Sequence, residues 1–412
     1  MIDGEHHPGV VRDALDRLEA EHEVVAVLFA GGEEKVGGQV FEDPSAHYGR
    51  EVVTGGDLPA VEADAVFDLS GDPILTPERR FELAAAALDR GLSYFAPGLR
   101  LAPPPIERIA TEVPILSVIG TGKRTGKTAV AGHLAALLRE RGAEPVIVSM
   151  GRGGPPEPQL VRAGERLDTA RLLEIARDGR HAASDYLEDA ALTGVATVGT
   201  RRCGEGPAGE VFDSNVSEGI RLALDLKPDA VVLEGSGSSI PPVAADRTVC
   251  VTRGDHDLDR FGALRLNRSQ LVIALGDGGA IEVPHPNVIR CQLESEPAVP
   301  LAPGTRVAAF TTATPAGAER IWTALEHGGL EVALVSTALA RRAELERDLV
   351  QAVAERCEVF LTEIKAAAIE LVAERAEREG VELGFLRNRL TALPGEPSVD
   401  EALWRLYEQA RG

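Results

Sequence analysis

The chain has 412 residues, 44% hydrophobic and 26% charged, the balance of a globular protein of roughly two to four ordinary domains. Acidic residues outnumber basic ones by 65 to 43, a formal charge of −22, and aromatics are 4%; this excludes sequence-independent binding to nucleic acid or anionic lipid, and stacking on single strands. The cysteines Cys203, Cys250, Cys291 and Cys357 form no C-x-x-C pair, and no basic-apolar leader or apolar run of about 18 residues occurs, so a cytoplasmic protein without disulfides or a membrane span is expected.

In chain order, the loop Asp3-Gly4-Glu5-His6-His7 follows a short first strand, then VVAVLF and DAVFDLSG read as strands. Four helices end in charge followed by glycine, at Leu88–Gly91, Arg139–Gly142, Glu326–Gly329 and Glu377–Gly380. Each is followed by an apolar run (LSYFA, EPVIVSM, LEVALVS, VELGFL). Glycine just past the last turn is the preferred left-handed cap, and this helix–glycine–strand rhythm predicts a parallel α/β architecture. Proline clusters at Ala102–Ile106 and Glu296–Gly304 predict linkers. The expected layout is an N-terminal α/β domain over 1–110, a P-loop domain with a mostly parallel sheet over 111–300, and a small α/β domain over 301–412. In the last block RVAAFTT, VALVS, CEVFLTEI and VELGFLRN read as strands.

The strongest signal lies in the middle. The apolar run Val113–Ile119 leads into Gly120-Thr121-Gly122-Lys123-Arg124-Thr125-Gly126-Lys127-Thr128 and then a helix, AVAGHLAALLRERG. Strand, glycine-bearing loop and helix are the context a Walker A loop needs. Glycines let backbone amides curl around phosphate oxygens, and the helix N-terminus adds positive potential. Lys127 is expected to reach the β- and γ-phosphates of ATP and the Thr128 hydroxyl to hold Mg²⁺. Thr121 stands where the common spacing has glycine, so the loop is a variant; Lys123 and Lys127 are two of only five lysines in the chain. Pro228-Asp229 precedes the short strand AVVL, and Glu234-Gly235-Ser236-Gly237 follows it. Glu234, at the carboxyl end, is the expected second Mg²⁺ contact; Asp229 is its rival at the other end.

The segment VVLEGSGSSIPPV resembles the Glu-Gly-Ala-Gly element of dethiobiotin synthetase. In order, MIDGEHHPGVVRDAL, VIGTGKRTGKTAVAGHLA, HAASDYLEDA, RRCGEGPAGEVFDSNVSEG and VVLEGSGSSIPPV resemble the cyclic 2,3-diphosphoglycerate synthetase family over most of the first 255 residues. That resemblance implies ATP-driven closure of an intramolecular phosphoanhydride in 2,3-diphosphoglycerate, with release of ADP and phosphate. The chain begins two residues before Asp3, so its first strand is expected to be stunted, or the native start to lie upstream.

Binding ATP beside a bis-phosphorylated acid needs several cations. Arg124 in the loop, and Arg152, Arg201, Arg202 and Arg253 after predicted strands, are expected to converge beyond the strand ends and grip phosphate bidentately. The resemblance adds Ser184 and Asp185 as substrate-site candidates, beside a plainer reading of either as a helix cap; His6, in the loop after the short first strand, reads as a substrate or interdomain contact, beside a plain polar loop and a weak metal site. Asn215-Val-Ser-Glu218 reads as a capping arrangement, Cys203 as a buried thiol, and Arg387-Asn388-Arg389 as either a phosphate or partner contact or surface charge. No triad or nucleophilic cysteine stands out, as expected where phosphates are themselves the nucleophiles. A homodimer is the expected assembly. The competing readings are a small-acid kinase or ligase on the same scaffold, and a nucleotide-switched regulator or metallochaperone, to which Lys123 points with a spacing one residue short.

Overall fold

The computed structural model describes residues 1–36, 42–165, 167, 169–178, 184–254, 261–276, 282–364 and 368–412. The chain divides into two units, Met1–Pro105 with Leu258–Arg268, and Ile106–Asp257 with Ser269–Gly412.

In the first unit β1 (Val27–Leu28) pairs in parallel with β2 (Val52–Val53), and β3 (Ala65–Phe67) with β4 (Ser93–Ala96). Strand β5 (Leu99–Leu101) closes antiparallel on β4. Helix Pro8–Glu19 lays Val11 and Leu15 onto Ile2, Val27 and Phe29. Two buried aspartates organise the loops behind these strands. Asp3 Oδ1 accepts from the amides of Glu5 and His6 at 3.1 and 3.2 Å, and Oδ2 from Gly71 at 2.6 Å. Asp68 accepts from the Ser70 and Tyr94 hydroxyls and from Arg80; burial pushes its carboxyl up, but these bonds outweigh it and hold the group below its ordinary range. Helix Gly262–Asn267, inside the block expected at 111–300, belongs to this unit. Phe261 meets Phe81 edge-on at 5.5 Å, and Asn267 donates to Asp89.

The second unit is built on one large sheet. Its strands are β6 (Ile115–Gly120), β7 (Pro145–Gly151), β8 (Gln159–Val161), β9 (Ala196–Cys203), β10 (Asp213–Ser214), β11 (Ala230–Glu234), β12 (Arg247–Thr252), β13 (Leu271–Leu275), β14 (Val288–Pro297), β15 (Arg306–Phe310), β16 (Glu331–Ser336), β17 (Val359–Thr362) and β18 (Glu382–Ala392). Among the described residues their order is β10-β9-β7-β11-β6-β12-β13-β14-β18-β17-β15-β16, with β8 also on β9. Pairing is parallel except at β8–β9, β9–β10 and β14–β18. Every residue of β6, β7 and β11 is buried, as continuous apolar runs require when helices cover both faces. On one face helices Lys127–Glu140 and Val399–Arg411 contribute Val130, Leu134, Leu138, Leu403 and Tyr407; on the other, helix Val216–Leu224 contributes Val216, Ile220 and Ala223.

The four predicted glycine stops are left-handed: Gly91, Gly142, Gly329 and Gly380 have φ of 80, 87, 83 and 70°. At residue 300 the sheet is unbroken. Strand β14 pairs antiparallel with β18 from Cys291↔Ala392 to Pro297↔Leu386, so the proline cluster begins at the last paired residue of a strand, where a missing N–H is tolerated. Arg387 and Arg389 lie within β18 and pair with Glu296 and Glu294 across it, while Asn388 accepts from Ser295. They are surface partners of β14.

Candidate active site

The loop between β6 and helix Lys127–Glu140 folds around its own lysine. Lys127 is 7% exposed. Its Nζ donates to the Gly122 carbonyl at 2.7 Å and to Thr125 Oγ1 at 3.3 Å. The turn needs unusual backbone, with Arg124 at φ 62° and Gly126 at φ 103°. Gly120 has a second constraint, because a Cβ there would lie 2.5 Å from Thr125 Oγ1 and 3.1 Å from Lys127 Nζ. Thr121 fills the place of the missing glycine by anchoring the loop to the neighbouring strand: its amide donates to Val251 at 3.1 Å and its hydroxyl to Thr252 at 3.1 Å. Lys123 and Arg124 project into solvent.

Strand β11 places Glu234 beside Val118 of β6 and Ser149 of β7. The Thr128 hydroxyl donates to Glu234 Oε1 at 2.6 Å and Ser149 Oγ to Oε2 at 2.9 Å. Asp229 is at the opposite edge, where its Oδ2 accepts from the Glu144 amide at 2.8 Å. Burial pulls the Lys127 ammonium below the ordinary lysine range, against the charges of Glu234, Asp185 and Glu205, which raise it. A serine hydroxyl, a threonine hydroxyl and a carboxylate are hard oxygen donors, the set that suits Mg²⁺.

A second cluster lies beyond the ends of β7, β9 and β11. The Arg202 guanidinium, its side chain 4% exposed, donates through Nη1 to Gly204 O at 2.9 Å, and through Nη2 to Glu205 at 2.5 Å and to Ser236 O at 3.1 Å. Arg152 Nη2 approaches the same Glu205 oxygen at 3.4 Å. The other Glu205 oxygen accepts from the Ser238 amide at 2.9 Å and from its hydroxyl. Burial raises the Glu205 carboxyl, but the Ser238 bonds and Arg202 outweigh it and hold it at about 2. Gly237, at φ 63°, is the floor of this clasp: a Cβ there would sit 2.5 Å from Arg152 Nη2 and 2.8 Å from Arg202 Nη2.

Three family models match parts of the chain. The P-loop, N-terminal and C-terminal domains of cyclic 2,3-diphosphoglycerate synthetase match residues 115–283, 1–102 and 301–389. A synthetase of that description from Rubrobacter xylanophilus is 40% identical over 100% of this chain and 97% of its own length. The chain belongs to the cyclic 2,3-diphosphoglycerate synthetase family. Its relatives from Thermococcus gammatolerans and Methanothermobacter thermautotrophicus are 38% and 34% identical, each over 100% of this chain and at least 96% of its own. Among solved structures, LpxK from Aquifex aeolicus in complex with ATP aligns with a TM-score of 0.47 and 15% identity over 81% of this chain and 96% of that one.

The remaining expected site residues fall in different places. Ser184 sits at the N-cap position of helix Asp185–Thr193, yet among the described residues its buried hydroxyl makes no capping bond and no other hydrogen bond. The residues just before it in the segment HAASDYLEDA, from His181 on, lie outside the described residues. Asp185 is close to Gly151, where a Cβ would be 3.4 Å from Asp185 Oδ2. Arg201, one residue from Arg202 on β9, points to the opposite side by strand alternation and is exposed. Arg253 follows β12, next to the Thr121 anchor at Thr252, and is exposed. His6 is in the first unit, its Nδ1 2.7 Å from Asp3 Oδ1.

Two expectations are corrected, and of the alternatives for Arg387 and Arg389 the structure has surface charge. Asn215 does not cap its helix; its side chain accepts from the Arg201 amide at 2.7 Å and donates to the Pro155 and Pro156 carbonyls. Cys203 is exposed, while the other three cysteines are buried. Arg387 and Arg389 reach carboxylates of the adjoining strand. Sequence reasoning missed Ser149, Glu205 and Ser238. A hydroxyl ending the apolar run PVIVSM was the only available hint of Ser149, and Glu205 was hidden in the glycine-rich RRCGEG.

Proposed function

We propose that this chain closes 2,3-diphosphoglycerate into its cyclic phosphoanhydride at the expense of ATP, and that the P-loop edge of the second unit performs the reaction. The Thr128–Glu234 bond beside the buried Lys127 carries this reading. It supports placing the ATP phosphates on the amides of residues 120–128, with Lys127 swinging from the Gly122 carbonyl to the β- and γ-phosphates. Mg²⁺ held by Thr128 and Glu234 supplies charge neutralisation of the transferring phosphoryl. Asp185, a carboxylate, suits the cation side of this edge, since a like charge opposes phosphate.

The clasp supports a seat for the substrate. Arg152 and Arg202 converge on one carboxylate oxygen, and a phosphate of the substrate replaces Glu205 there with two charge-assisted contacts. Arg124 and Arg253 serve as a solvent-side rim of positive charge, and Arg201, on the other side of β9, takes no part. Ser184 offers an unused hydroxyl to the same ligand.

The chemistry needs no strong base. One substrate phosphate oxygen attacks the γ-phosphorus of ATP, and the bond to the β-phosphate breaks to release ADP. The second substrate phosphate then attacks the phosphorus of the first. The bond to the transferred phosphoryl breaks, and inorganic phosphate leaves with the bridging oxygen. Lys127 and the arginines offset charge as it moves onto the leaving groups. Three buried free cysteines accord with a reducing, cytoplasmic setting.

The test is phosphate release from γ-labelled ATP with a panel of phosphorylated acids. The expected result is release driven by 2,3-diphosphoglycerate, with the label in free phosphate and none in the ring. Absence of stimulation overturns the substrate, and label in the ring overturns the order of steps.

A further inference from the structure

One side chain near the clasp has no part in the reading above. Asn215 follows β10 and precedes helix Val216–Leu224, but the helix does not use it as a cap, and the Val216 amide donates to Ser214 Oγ at 3.2 Å instead. Its carboxamide ties two stretches of chain together. Oδ1 accepts from the Arg201 backbone amide on β9 at 2.7 Å, and Nδ2 donates to the Pro155 and Pro156 carbonyls at 3.2 and 3.1 Å. One acceptor meets an N–H and the amide nitrogen meets two carbonyls; an aspartate of the same shape has no hydrogen to give them. The stretch held in this way carries Arg152. The parallel ladder of β7 and β9 ends at the pair Gly151↔Arg201, so Arg152 and Arg202 stand one residue beyond it, where ladder bonds no longer fix their spacing. The two prolines have no N–H with which to extend it. Gly154 brings the loop down onto β9, since a Cβ there would lie 2.0 Å from the Thr200 carbonyl oxygen and 3.0 Å from Arg201 Cα.

Arg152 and Arg202 reach one Glu205 oxygen, at 3.4 and 2.5 Å, from two different segments. Two guanidinium groups share one anion only while those segments keep their spacing, and a displacement of about 1 Å in such a site costs on the order of 100-fold. We propose that Asn215 is the positioning residue of this pair: it pins the Arg152 loop to the strand of Arg202 and so sets the spacing at which both grip one substrate phosphate. The inference rests on the reading of the clasp as the substrate seat.

The experiment measures ATP-dependent phosphate release by the full chain, varying 2,3-diphosphoglycerate and ATP in turn, with the melting temperature of each variant recorded alongside. Arg152→Ala is expected to raise KM for the bis-phosphate about tenfold or more. Asn215→Asp keeps the acceptor for the Arg201 amide but cannot donate to the prolines, and should raise that KM about fivefold or more, with kcat and KM for ATP within about twofold. In the double variant KM should stay within about twofold of Arg152→Ala alone, because Asn215 acts through that arginine; a general fold defect, or the new charge itself, would multiply the two effects. An unchanged KM in Asn215→Asp, or effects that multiply in the double variant, overturns the role of Asn215 and spares the seat. An unchanged KM in Arg152→Ala overturns the seat and the inference together. Should Asn215→Asp melt below the assay temperature, Asn215→Ser takes its place and the same outcomes decide.

Discussion

Replacing Glu205 by glutamine tests the clasp at its centre. The carboxylate is held at about 2 against an ordinary 4.5, a drop of roughly 2.5 pH units. At about 1.4 kcal/mol per pH unit this corresponds to roughly 3 kcal/mol of preference for the charged form in the folded chain. The side chain is 22% exposed, and solvent screening brings the expectation nearer about 2 kcal/mol. Glutamine keeps the shape but loses the charge that Arg202 and the Ser238 amide bind. The folded pKa lies below the unfolded one, so the stabilisation is complete above about pH 4.5 and fades as the pH falls toward 2. Urea unfolding of the two proteins should therefore differ by about 2 kcal/mol from pH 6 to 8, with the gap closing below pH 4.5. The same variant leaves Arg152 and Arg202 without their resident anion. 2,3-Diphosphoglycerate should bind it roughly tenfold more tightly by calorimetry, about 1.4 kcal/mol. A gap that widens on acidification, or substrate binding that weakens, would refute the reasoning.

Lys127→Met should abolish ATP-dependent phosphate release while leaving metal-free stability equal or higher, since it removes a buried ammonium whose direct partners are one carbonyl and one hydroxyl; urea melts and a phosphate assay check both. Gly120→Ala should lower ATP affinity at least tenfold by fluorescence titration, because the new methyl displaces Thr125 and Lys127. Arg202→Lys should raise KM for the bis-phosphate at least tenfold with KM for ATP unchanged, as an ammonium cannot bind Gly204, Ser236 and an anion in one plane. Arg389→Ala should cost under about 0.5 kcal/mol and leave turnover unchanged, being an exposed pair on β14.

The elements that local rules govern were legible. The glycine stops need only the left-handed preference of one residue, and the P-loop is a contiguous strand–loop–helix whose Lys127 meets its partners Gly122 and Thr125 within the loop itself. Glu234 could be preferred over Asp229 because strand direction alone decides which end carries the site. Long-range placement was not legible. Ser149 meets Glu234 from 85 residues away, and Arg152 meets Glu205 from 53, through strand order that no local pattern encodes. The boundary near 300 was read from prolines, yet the antiparallel ladder of β14 and β18 carries one sheet across it. Asn215 had the composition of a cap, and its amide found two proline carbonyls and the Arg201 amide instead.

The charge pattern of this edge explains how so acidic a chain handles a substrate rich in phosphate. The cations of this edge already have carboxylates near them: the buried Arg202 and the exposed Arg152 face Glu205, and the buried Lys127 feels the charges of Glu234, Asp185 and Glu205. Bringing in a triphosphate alone adds negative charge beside Glu234, which is costly in a buried setting. A nucleotide accompanied by a divalent ion adds far less, and a substrate phosphate that takes the seat of Glu205 exchanges one anion for another. Affinity at this site is therefore a matter of matched replacement, and it follows that nucleotide binding should depend on the divalent ion much more steeply here than at an edge lined only by cations. Measured as ADP affinity with and without Mg²⁺, that dependence should shrink in Glu234→Gln, whose neutral amide no longer opposes the phosphates; an undiminished dependence would mean that the repulsion does not govern binding.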